Sequence, residues 1–217
     1  MTWNVHGFRA GTGAVAEVIA EQGPDVALLN EAGYFGFRVH RLARRLGMAV
    51  ATGGSLRHRI PNAVLVRAPW RIVDHAVEIL PRVGHELRRG AVLATIGRAG
   101  RRVLAVSVHL GLSTPERRRH AEVLTDLLGA RHEPVIVGGD LNESPDGPSA
   151  SWIGERYWDS FASLGESEGL TFPSADPRAR IDYVFVSDGL TVERAWVAGD
   201  AEASDHLAVV ADVRLEG

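Results

Sequence analysis

The chain has 217 residues, 45 % of them hydrophobic, and a formal net charge of −3. A chain of this length and apolar content can bury one full core, so we expect residues 1–217 to form one domain. All 24 basic residues are arginine and there is no cysteine, which excludes disulfides, zinc–thiolate sites and thiol nucleophiles.

The first half of the chain is predicted to open with a β-α-β unit. Residues 2–5 and 26–30 have the composition of strands, and the helix predicted between them, residues 14–22, places Val15, Val18 and Ile19 on one face. A second helix is predicted over residues 39–46, before Gly47. A series of strands follows at residues 48–52, 63–66, 72–77, 91–96 and 102–108, the last two joined as a hairpin through Gly97–Gly100.

The second half begins with a predicted helix that runs from Ser113 to about Leu128. Ser113 and Glu116 have capping-box spacing at its start. Residues 135–137 form a buried strand, and residues 148–164 are predicted to be a short helix and a loop. Further strands are expected at 181–186, 190–197 and 207–213, and the aromatic residues expected in the core are Trp152, Tyr157, Trp158 and Phe161. This order predicts a β-rich α/β domain with two sheets packed inside and helices outside.

Polar residues stand where apolar strands begin or end. The strand-end residues are Asn4, Glu31, His109 and Asp140; Asp182 opens a later strand, and Ser204-Asp205-His206 precedes the last one. If the chain stays extended through Leu141, Asp140 and Asn142 project to the same side, because strand side chains repeat with period two. An ordinary turn at Gly139–Asn142 is the alternative. Asp182 could equally form a structural ion pair with Arg180, and Asn4 could be a buried amide with internal partners.

With these motifs in order, the chain resembles the endonuclease/exonuclease/phosphatase superfamily. The resemblance covers essentially the whole chain and includes G-D-L-N at 139–142, R-I-D-Y-V at 180–184, S-D-H at 204–206 and P-N-A-V-L-V at 61–66. It implies a four-layer α/β sandwich, the DNase I-like fold, in which two mixed β-sheets pack face to face with helices outside. It also implies a metal-dependent phosphoester hydrolase site at one edge.

The resemblance implies a metal site for Mg²⁺ or Mn²⁺. Glu31 would be the principal ligand, supported by Asn4 and Asp205. Carboxylates, an amide and water are the oxygen ligands that such hard cations prefer. Members of the superfamily commonly have Gln before this Glu, whereas Asn30 stands here, and the shorter amide could alter the contacts behind the ligand.

The catalytic roles that the resemblance implies centre on Asp140, which would orient or deprotonate the attacking water. His206, oriented by Asp182, would meet the charge that develops on the phosphoryl group, and a carboxylate behind this histidine favours its imidazolium form. Residues predicted to contact the substrate are His109, Asn142, Asn62 and Arg180, and His109 and Asn142 are also counted as catalytic.

We therefore predict a divalent-metal-dependent phosphoester hydrolase, and within that class a phosphodiesterase. A nuclease acting on DNA or RNA is the alternative within the superfamily, and the acidic net charge counts against it. The alternative from a different class is a non-catalytic module that binds an anion on the same fold. The substrate would be a small molecule, a lipid head group or a nucleic acid, selected by loops 53–61, 80–89 and 143–177.

The last predictions concern membranes, protein partners, cellular location and the arginine clusters. We expect no membrane span, no obligate protein partner and a cytoplasmic location, since the sequence contains neither a long apolar run nor a recognisable leader. The arginine clusters at 41–45, 57–59, 88–89 and 117–119 are interpreted as solvated faces.

Overall fold

The computed structural model describes residues 1–82, 87–164 and 167–216, so two of the predicted substrate loops, 80–89 and 143–177, are described in part. The strands are β1 (Thr2–Asn4), β2 (Val26–Asn30), β3 (Ala49–Thr52), β4 (Ala63–Val66), β5 (Arg71–Ile79), β6 (Gly90–Arg98), β7 (Arg101–His109), β8 (Val135–Asp140), β9 (Trp158–Asp159), β10 (Asp182–Val186), β11 (Leu190–Ala198) and β12 (Ala208–Leu215). The helices are α1 (Gly11–Gln22), α2 (Phe37–Leu46), α3 (Thr114–Gly129), α4 (Pro148–Gly154) and α5 (Ser160–Leu164), with a 3-10 segment at His6–Phe8.

The strands form two mixed sheets. In the described residues the first sheet has the order β11-β12-β1-β2-β4-β3 and the second the order β5-β6-β7-β8-β10-β9, with six strands in each. The pairs β1–β2 and β7–β8 are parallel, and each is connected through a helix, α1 or α3. The predicted β-α-β unit and the hairpin between β6 and β7 are both confirmed.

Alternation of side chains along the strands creates the layers. Leu29 of β2 packs outward with residues of α1 and α2, whereas its neighbour Leu28 packs inward against strands of the other sheet. The outer face of the second sheet is covered by α3 and α4, with Leu124 and Ile153 buried there. The predicted four-layer sandwich, two sheets face to face with helices outside, is therefore confirmed.

A close approach between the two sheets lies beneath the polar strand ends. A Cβ atom on Gly138 of β8 would come within 2.6 Å of Leu28 Cδ1 and 2.9 Å of Thr2 Cβ in the opposite sheet. Glycine is therefore required for this spacing. The end of β8 consequently lies close to the ends of β1 and β2, so residues of both sheets can share one site.

Two local predictions were wrong. Trp158 is 63 % exposed, because β9 lies at the edge of its sheet, whereas Tyr157 and Phe161 are buried as expected. The Ser113 side chain makes no capping hydrogen bond. Glu116 instead turns toward Gly111, where an added Cβ would collide with its carboxylate. No helix in the described ranges has the combined length and apolar character needed to cross a membrane.

Candidate active site

Asp140, the last residue of β8, lies at the centre of the polar strand ends and is 1 % exposed. Its Oδ2 accepts a hydrogen bond from Asn4 Nδ2 at 3.0 Å and lies 3.3 Å from His109 Nε2. Its Oδ1 accepts the backbone N–H of Asn142 at 2.8 Å. The Asp140 backbone N–H donates to Asn30 Oδ1 at 3.0 Å, so the amide that replaces the expected Gln holds the end of β8.

These surroundings keep Asp140 ionised. Burial by itself acts to raise the pKa of this carboxyl. The interactions with His109, the charge of His206 and the hydrogen bond from Asn4 act in the opposite direction, and they hold the pKa of Asp140 well below its usual range. Asp140 is therefore a buried anion ready to accept a hydrogen bond.

The paired backbone continues one residue past β8, since Leu141 N donates to Ile181 O at 2.8 Å, and the chain turns at Asn142. Strand β8 ends at Asp140, and Asn142 has a φ of 52°. The turn interpretation describes this backbone, because the Asp140 carboxylate closes the turn on the Asn142 N–H. Asn142 nevertheless faces the same pocket: its Nδ2 lies 3.1 Å from His109 Nε2 and donates to Leu110 O at 3.2 Å.

His206 approaches Asp140 with a second carboxylate behind it. Its Nδ1 lies 2.8 Å from Asp182 Oδ2, and its Nε2 lies 3.8 Å from Asp140 Oδ2. Thr171 Oγ1 donates to the same Asp182 oxygen at 2.7 Å, and Trp3 Nε1 donates to His206 O at 2.8 Å. These contacts fix both the ring and the backbone of His206.

The charge of His206 follows from this arrangement. Burial alone would lower its pKa, but the hydrogen bond to Asp182 and the charges of Asp182, Asp140 and Asp205 outweigh burial and raise the pKa of His206 to about 9. Burial raises the pKa of Asp182, opposed by its hydrogen bonds from His206 and Thr171. At neutral pH His206 is an imidazolium that can donate from Nε2.

His109 has a guanidinium behind it instead of a carboxylate. Arg89 Nη1 lies 2.9 Å from His109 Nδ1, and Arg89 is 9 % exposed. A guanidinium can only donate, so Nδ1 must accept and the single ring proton of His109 lies on Nε2, facing Asp140. The interpretation of Arg88–Arg89 as a solvated pair was therefore wrong for Arg89.

Sequence reasoning missed Arg89, because the predicted hairpin connection Gly97–Gly100 included Arg98. In the structure Arg98 lies opposite Arg101, and the same register places Gly90 opposite His109. Arg89 is the next residue along β6 toward the strand-end cluster. Because Arg88–Arg89 were interpreted as a solvated surface, the pairing of β6 with β7 was not used to place Arg89 beside His109.

The predicted metal ligands lie beside this cluster. Asn4 Nδ2, which bonds Asp140, also donates to Glu31 Oε1 at 3.3 Å. Glu31 has a φ of 54°, so the chain turns sharply as β2 ends. Asp205 is 40 % exposed at its side chain and pairs with His6, whose Nδ1 lies 3.3 Å from Asp205 Oδ1.

The comparisons with known proteins agree with this geometry. The sequence matches the Endonuclease/Exonuclease/phosphatase family over residues 1–206. The chain belongs to this family. Members of the endonuclease/exonuclease/phosphatase family are metal-dependent hydrolases of phosphoesters, nucleases and phosphatases among them. No curated protein was found that matches the sequence.

Solved structures of the same fold include several family proteins. An endonuclease/exonuclease/phosphatase from Beutenbergia cavernae is 27 % identical with a TM-score of 0.78, covering 100 % of this chain and 71 % of the other. A mannosyl-6-phosphatase from Bacteroides thetaiotaomicron is 17 % identical with a TM-score of 0.81, covering 99 % and 98 %. TDP2 from D. rerio, complexed with a single-strand DNA product, is 17 % identical with a TM-score of 0.81, covering 98 % and 97 %. For the two proteins that are 17 % identical, the similarity establishes that this chain shares their fold.

Two groups of side chains could hold the metal ion of an endonuclease/exonuclease/phosphatase enzyme. Asp140, Asp182 and His206 each offer one ligand atom within 4.8 Å of the others. In that group the imidazolium of His206 already supplies a positive charge. Glu31 and Asp140 form an oxygen-rich pair joined by the Asn4 Nδ2–H, and their carboxylate oxygens fit a hard divalent cation, whereas Asn4 Oδ1 accepts the backbone N–H of His6 at 3.0 Å.

Two further predicted substrate residues make internal contacts. Asn62 is buried, and its Nδ2 donates to Gly90 O and Ser107 O, both at 3.1 Å, which connects the two sheets. Arg180 donates to both carboxylate oxygens of Asp159, at 3.1 and 2.8 Å, so its ion pair is not with Asp182. The structure thus brings together Asn4, Glu31, His109, Asp140, Asn142, Asp182 and His206, whereas Asn62, Arg180 and Asp205 have other partners.

Proposed function

We propose that this protein is a divalent-metal-dependent phosphodiesterase that uses a water positioned by Asp140. The observation that carries the proposal is a buried, ionised Asp140 that lies between the Asn4–Glu31 pair and two histidines. We further propose that residues 1–217 form one catalytic domain.

Each side chain has a task in attack on a phosphodiester. The substrate is anionic, so attack needs donors on the phosphoryl oxygens and an acceptor for the water. Asp140 is the acceptor, because its pKa is low enough to keep it ionised. The Nε2–H of the His206 imidazolium would donate to a phosphoryl oxygen, and Asn142 and His109 border the same space.

Glu31 and Asn4 would hold the metal, with Asp205 as a further candidate. A bound Mg²⁺ or Mn²⁺ would neutralise phosphate charge and orient the substrate. The carboxylates of Glu31 and Asp140 leave the site rich in negative charge, which disfavours a dianionic monoester more than a monoanionic diester. This asymmetry supports a diesterase.

The same buried anion argues against a module that only binds an anion. Such a module needs donors and positive charge, and Asp140 beside a bound phosphate would repel it. A hydrolase needs that acceptor, because water must be oriented opposite the leaving group. The arrangement therefore favours catalysis.

The test is hydrolysis of bis(p-nitrophenyl) phosphate beside p-nitrophenyl phosphate, with Mg²⁺, with Mn²⁺ and with EDTA. We expect metal-dependent turnover with preference for the diester, abolished by EDTA. Glu31→Ala should lower turnover by at least about a hundredfold because a metal ligand is removed. Glu21→Ala, an exposed glutamate on α1, is the matched control and should leave turnover unchanged. Equal turnover in Glu31→Ala, or turnover that resists EDTA, would contradict the proposal.

A further inference from the structure

A cavity of about 510 Å³ lies between the two sheets, at the end of β1 opposite to Asn4. It is bordered by β2 on one side and β12 on the other, because both strands extend beyond the point where β1 begins. Strand β1 has three residues and β12 has eight, and in the described residues the two pair only at Thr2 and Val209. We call this opening in the first sheet the strand gap.

The backbone of β2 beside the strand gap is oriented for pairing with another strand. Arg67 N donates to Asp25 O at 2.8 Å, so the alternation of an antiparallel pair directs the N–H and C=O of Val26 away from β4. Val26 O accepts the Met1 amino group at 3.1 Å, and Leu28 N donates to Met1 O at 2.9 Å. In this parallel ladder the acceptor for the Val26 N–H would lie two positions beyond Met1, within the gap. Edge groups of this kind are a template for an added strand.

The register of β1 assigns neighbours to each position in the strand gap. Thr2 lies opposite Val209 of β12 and Leu28 of β2. Continuing this register, positions 1, 2 and 3, numbered outward from Met1, lie between Ala211 and Val26, between Asp212 and Asp25, and between Val213 and Pro24. All six of these residues line the cavity. Cavity and register therefore describe the same space, which has the course of a strand.

Positions 1 and 3 face the interior between the sheets. Val26 and Val213 pack against buried residues of that interior, and Ile136 and Val184 of the second sheet line the cavity. Side chains at these two positions would therefore be surrounded by apolar groups. Apolar residues fit there, and β-branched ones suit the extended backbone.

Position 2 faces outward, because strand side chains alternate, and it lies between two carboxylates. Asp212 and Asp25 are both exposed. Burial lowers the pKa of the Met1 amino group to about 6, and the charges of Asp212 and Asp25 oppose this shift, so both act at the inner end of the gap. Arg194, opposite Asp212 on β11, has its guanidinium carbon 4.8 Å from the centre of the Trp196 ring. An arginine or lysine at position 2 would complement the two acids.

We propose that the strand gap binds an extended segment of a partner protein as an added strand, parallel to β2 and antiparallel to β12. The segment carries apolar residues at positions 1 and 3 and an arginine or lysine at position 2. In strand addition the main-chain hydrogen bonds give affinity, and the pockets for alternate side chains give specificity. An apolar small molecule would fill the interior but would leave the edges of β2 and β12 without a partner strand. The inference is independent of the proposed function, because the gap lies at the opposite end of β1 from Asn4.

The probe is the synthetic peptide acetyl-Val-Thr-Val-Arg-Val-amide, whose residues would occupy positions 5 to 1 and extend along β12 as far as Leu215. Trp70 and Trp196 line the cavity, so binding can be followed by tryptophan fluorescence and by thermal unfolding. We expect saturable binding, and a Tm higher by about 5 to 10 °C with the peptide at a hundred times its Kd. Absence of binding would overturn the proposal.

Three altered peptides test backbone pairing, charge and alternation separately. Methylating the backbone nitrogen of the last valine removes the donor that faces Ala211, and should weaken binding about tenfold or more. Replacing the arginine by glutamate should weaken binding to a similar extent, because it places a third negative charge between two others. Acetyl-Val-Val-Thr-Arg-Val-amide keeps the composition but places threonine in the interior, and should also bind more weakly. Equal binding of the methylated or rearranged peptide would identify an apolar cavity without strand pairing and overturn the proposal.

Protein variants locate the binding site. Asp25→Asn with Asp212→Asn should bring the preference for arginine over glutamate in the peptide close to one, whereas Asp74→Asn, an exposed position on β5, should keep it. Joining the five probe residues directly before Met1 should fill the strand gap from within the chain and abolish binding of the free peptide. If this fusion raises the Tm while the free peptide does not bind the wild-type protein, the gap accepts a strand only from its own chain, and the proposal fails.

Discussion

Two histidines face the same carboxylate, and they differ in what lies behind them. His206 has Asp182 behind its Nδ1 at 2.8 Å, whereas His109 has Arg89 behind its Nδ1 at 2.9 Å. The carboxylate draws a second proton onto His206 and raises its pKa to about 9. The guanidinium leaves His109 with one proton, on Nε2.

The difference shows how one residue type is given two chemical forms within a single site. An imidazolium brings positive charge to the phosphoryl group, while a neutral ring with a fixed tautomer offers a hydrogen bond without added charge. Asp140 lies 3.3 Å from His109 Nε2 and 3.8 Å from His206 Nε2, so it is common to both histidines. The partner behind each ring, more than the ring itself, decides what each histidine can do.

Removing the common carboxylate should have the largest effect. We expect Asp140→Asn to lower diester turnover by about 10³-fold or more, because water loses its acceptor. Binding of an uncleaved phosphodiester should survive, since Asn keeps the size of the side chain. Asp126→Asn, an exposed position on α3, is the control, and steady-state turnover beside equilibrium binding is the measurement. Parallel loss of both would show that Asp140 holds the substrate instead.

Replacing the carboxylate behind His206 should have an intermediate effect. In the wild type we expect turnover to fall as pH rises through about 9, since the charged form exists below this pKa. Asp182→Asn should lower turnover about a hundredfold at neutral pH and move the alkaline fall to lower pH, because the interaction that raises the pKa is lost. A pH–rate profile checks this, and an unmoved alkaline fall would separate His206 from the reaction.

The hydrogen bond between His206 and Asp182 also makes the stability of the fold depend on pH. The folded pKa of His206 is raised above its ordinary value of 6.5, so the stabilising contribution is complete below that value and is lost as pH rises through about 9. Thermal unfolding should therefore show a smaller difference between wild type and Asp182→Asn at alkaline pH than at neutral pH.

Removing the guanidinium behind His109 should have the smallest effect on turnover. We expect Arg89→Leu to lower turnover about tenfold, as for other residues that orient a functional group from behind. Nitrogen-15 NMR of the histidine rings should show the proton of His109 on Nε2 in the wild type and a mixture of tautomers in Arg89→Leu. A proton on Nδ1 in the wild-type protein would contradict the arrangement.

Much of the fold and the strand-end cluster could be predicted because both depend on local patterns. β-branched runs fix the strands, and their polar ends meet when the strands share an edge, as with Asn4 and Asp140. Trp158 could not be assigned correctly, because an aromatic residue on an edge strand has the same local pattern as one in the core. Exposure there depends on which strand covers β9, and this is a property of the whole sheet.

Further differences between prediction and structure lie where long-range packing decides. Tyr34 and Phe35 have the composition of core residues, but they are 49 % and 51 % exposed on a loop that contacts a second loop where Gly33 meets Gly54. Arg180 was expected near the substrate, and its pairing with Asp159 required the position of β9 beside β10. Loops and edge strands thus account for most of the difference between expectation and structure.

The hydrogen bond from Trp3 to His206 has a consequence for the order of folding. It links the first strand to the segment just before the last one, and β12 pairs with β1. Asn4, His109 and Asp140 can come together at the strand ends of the two sheets before the segment that carries His206 has docked. Because such distant pairings form slowly and late, the site is completed only when the C-terminal strand has docked. Appearance of activity during refolding would therefore mark the final step of assembly rather than collapse of the sandwich.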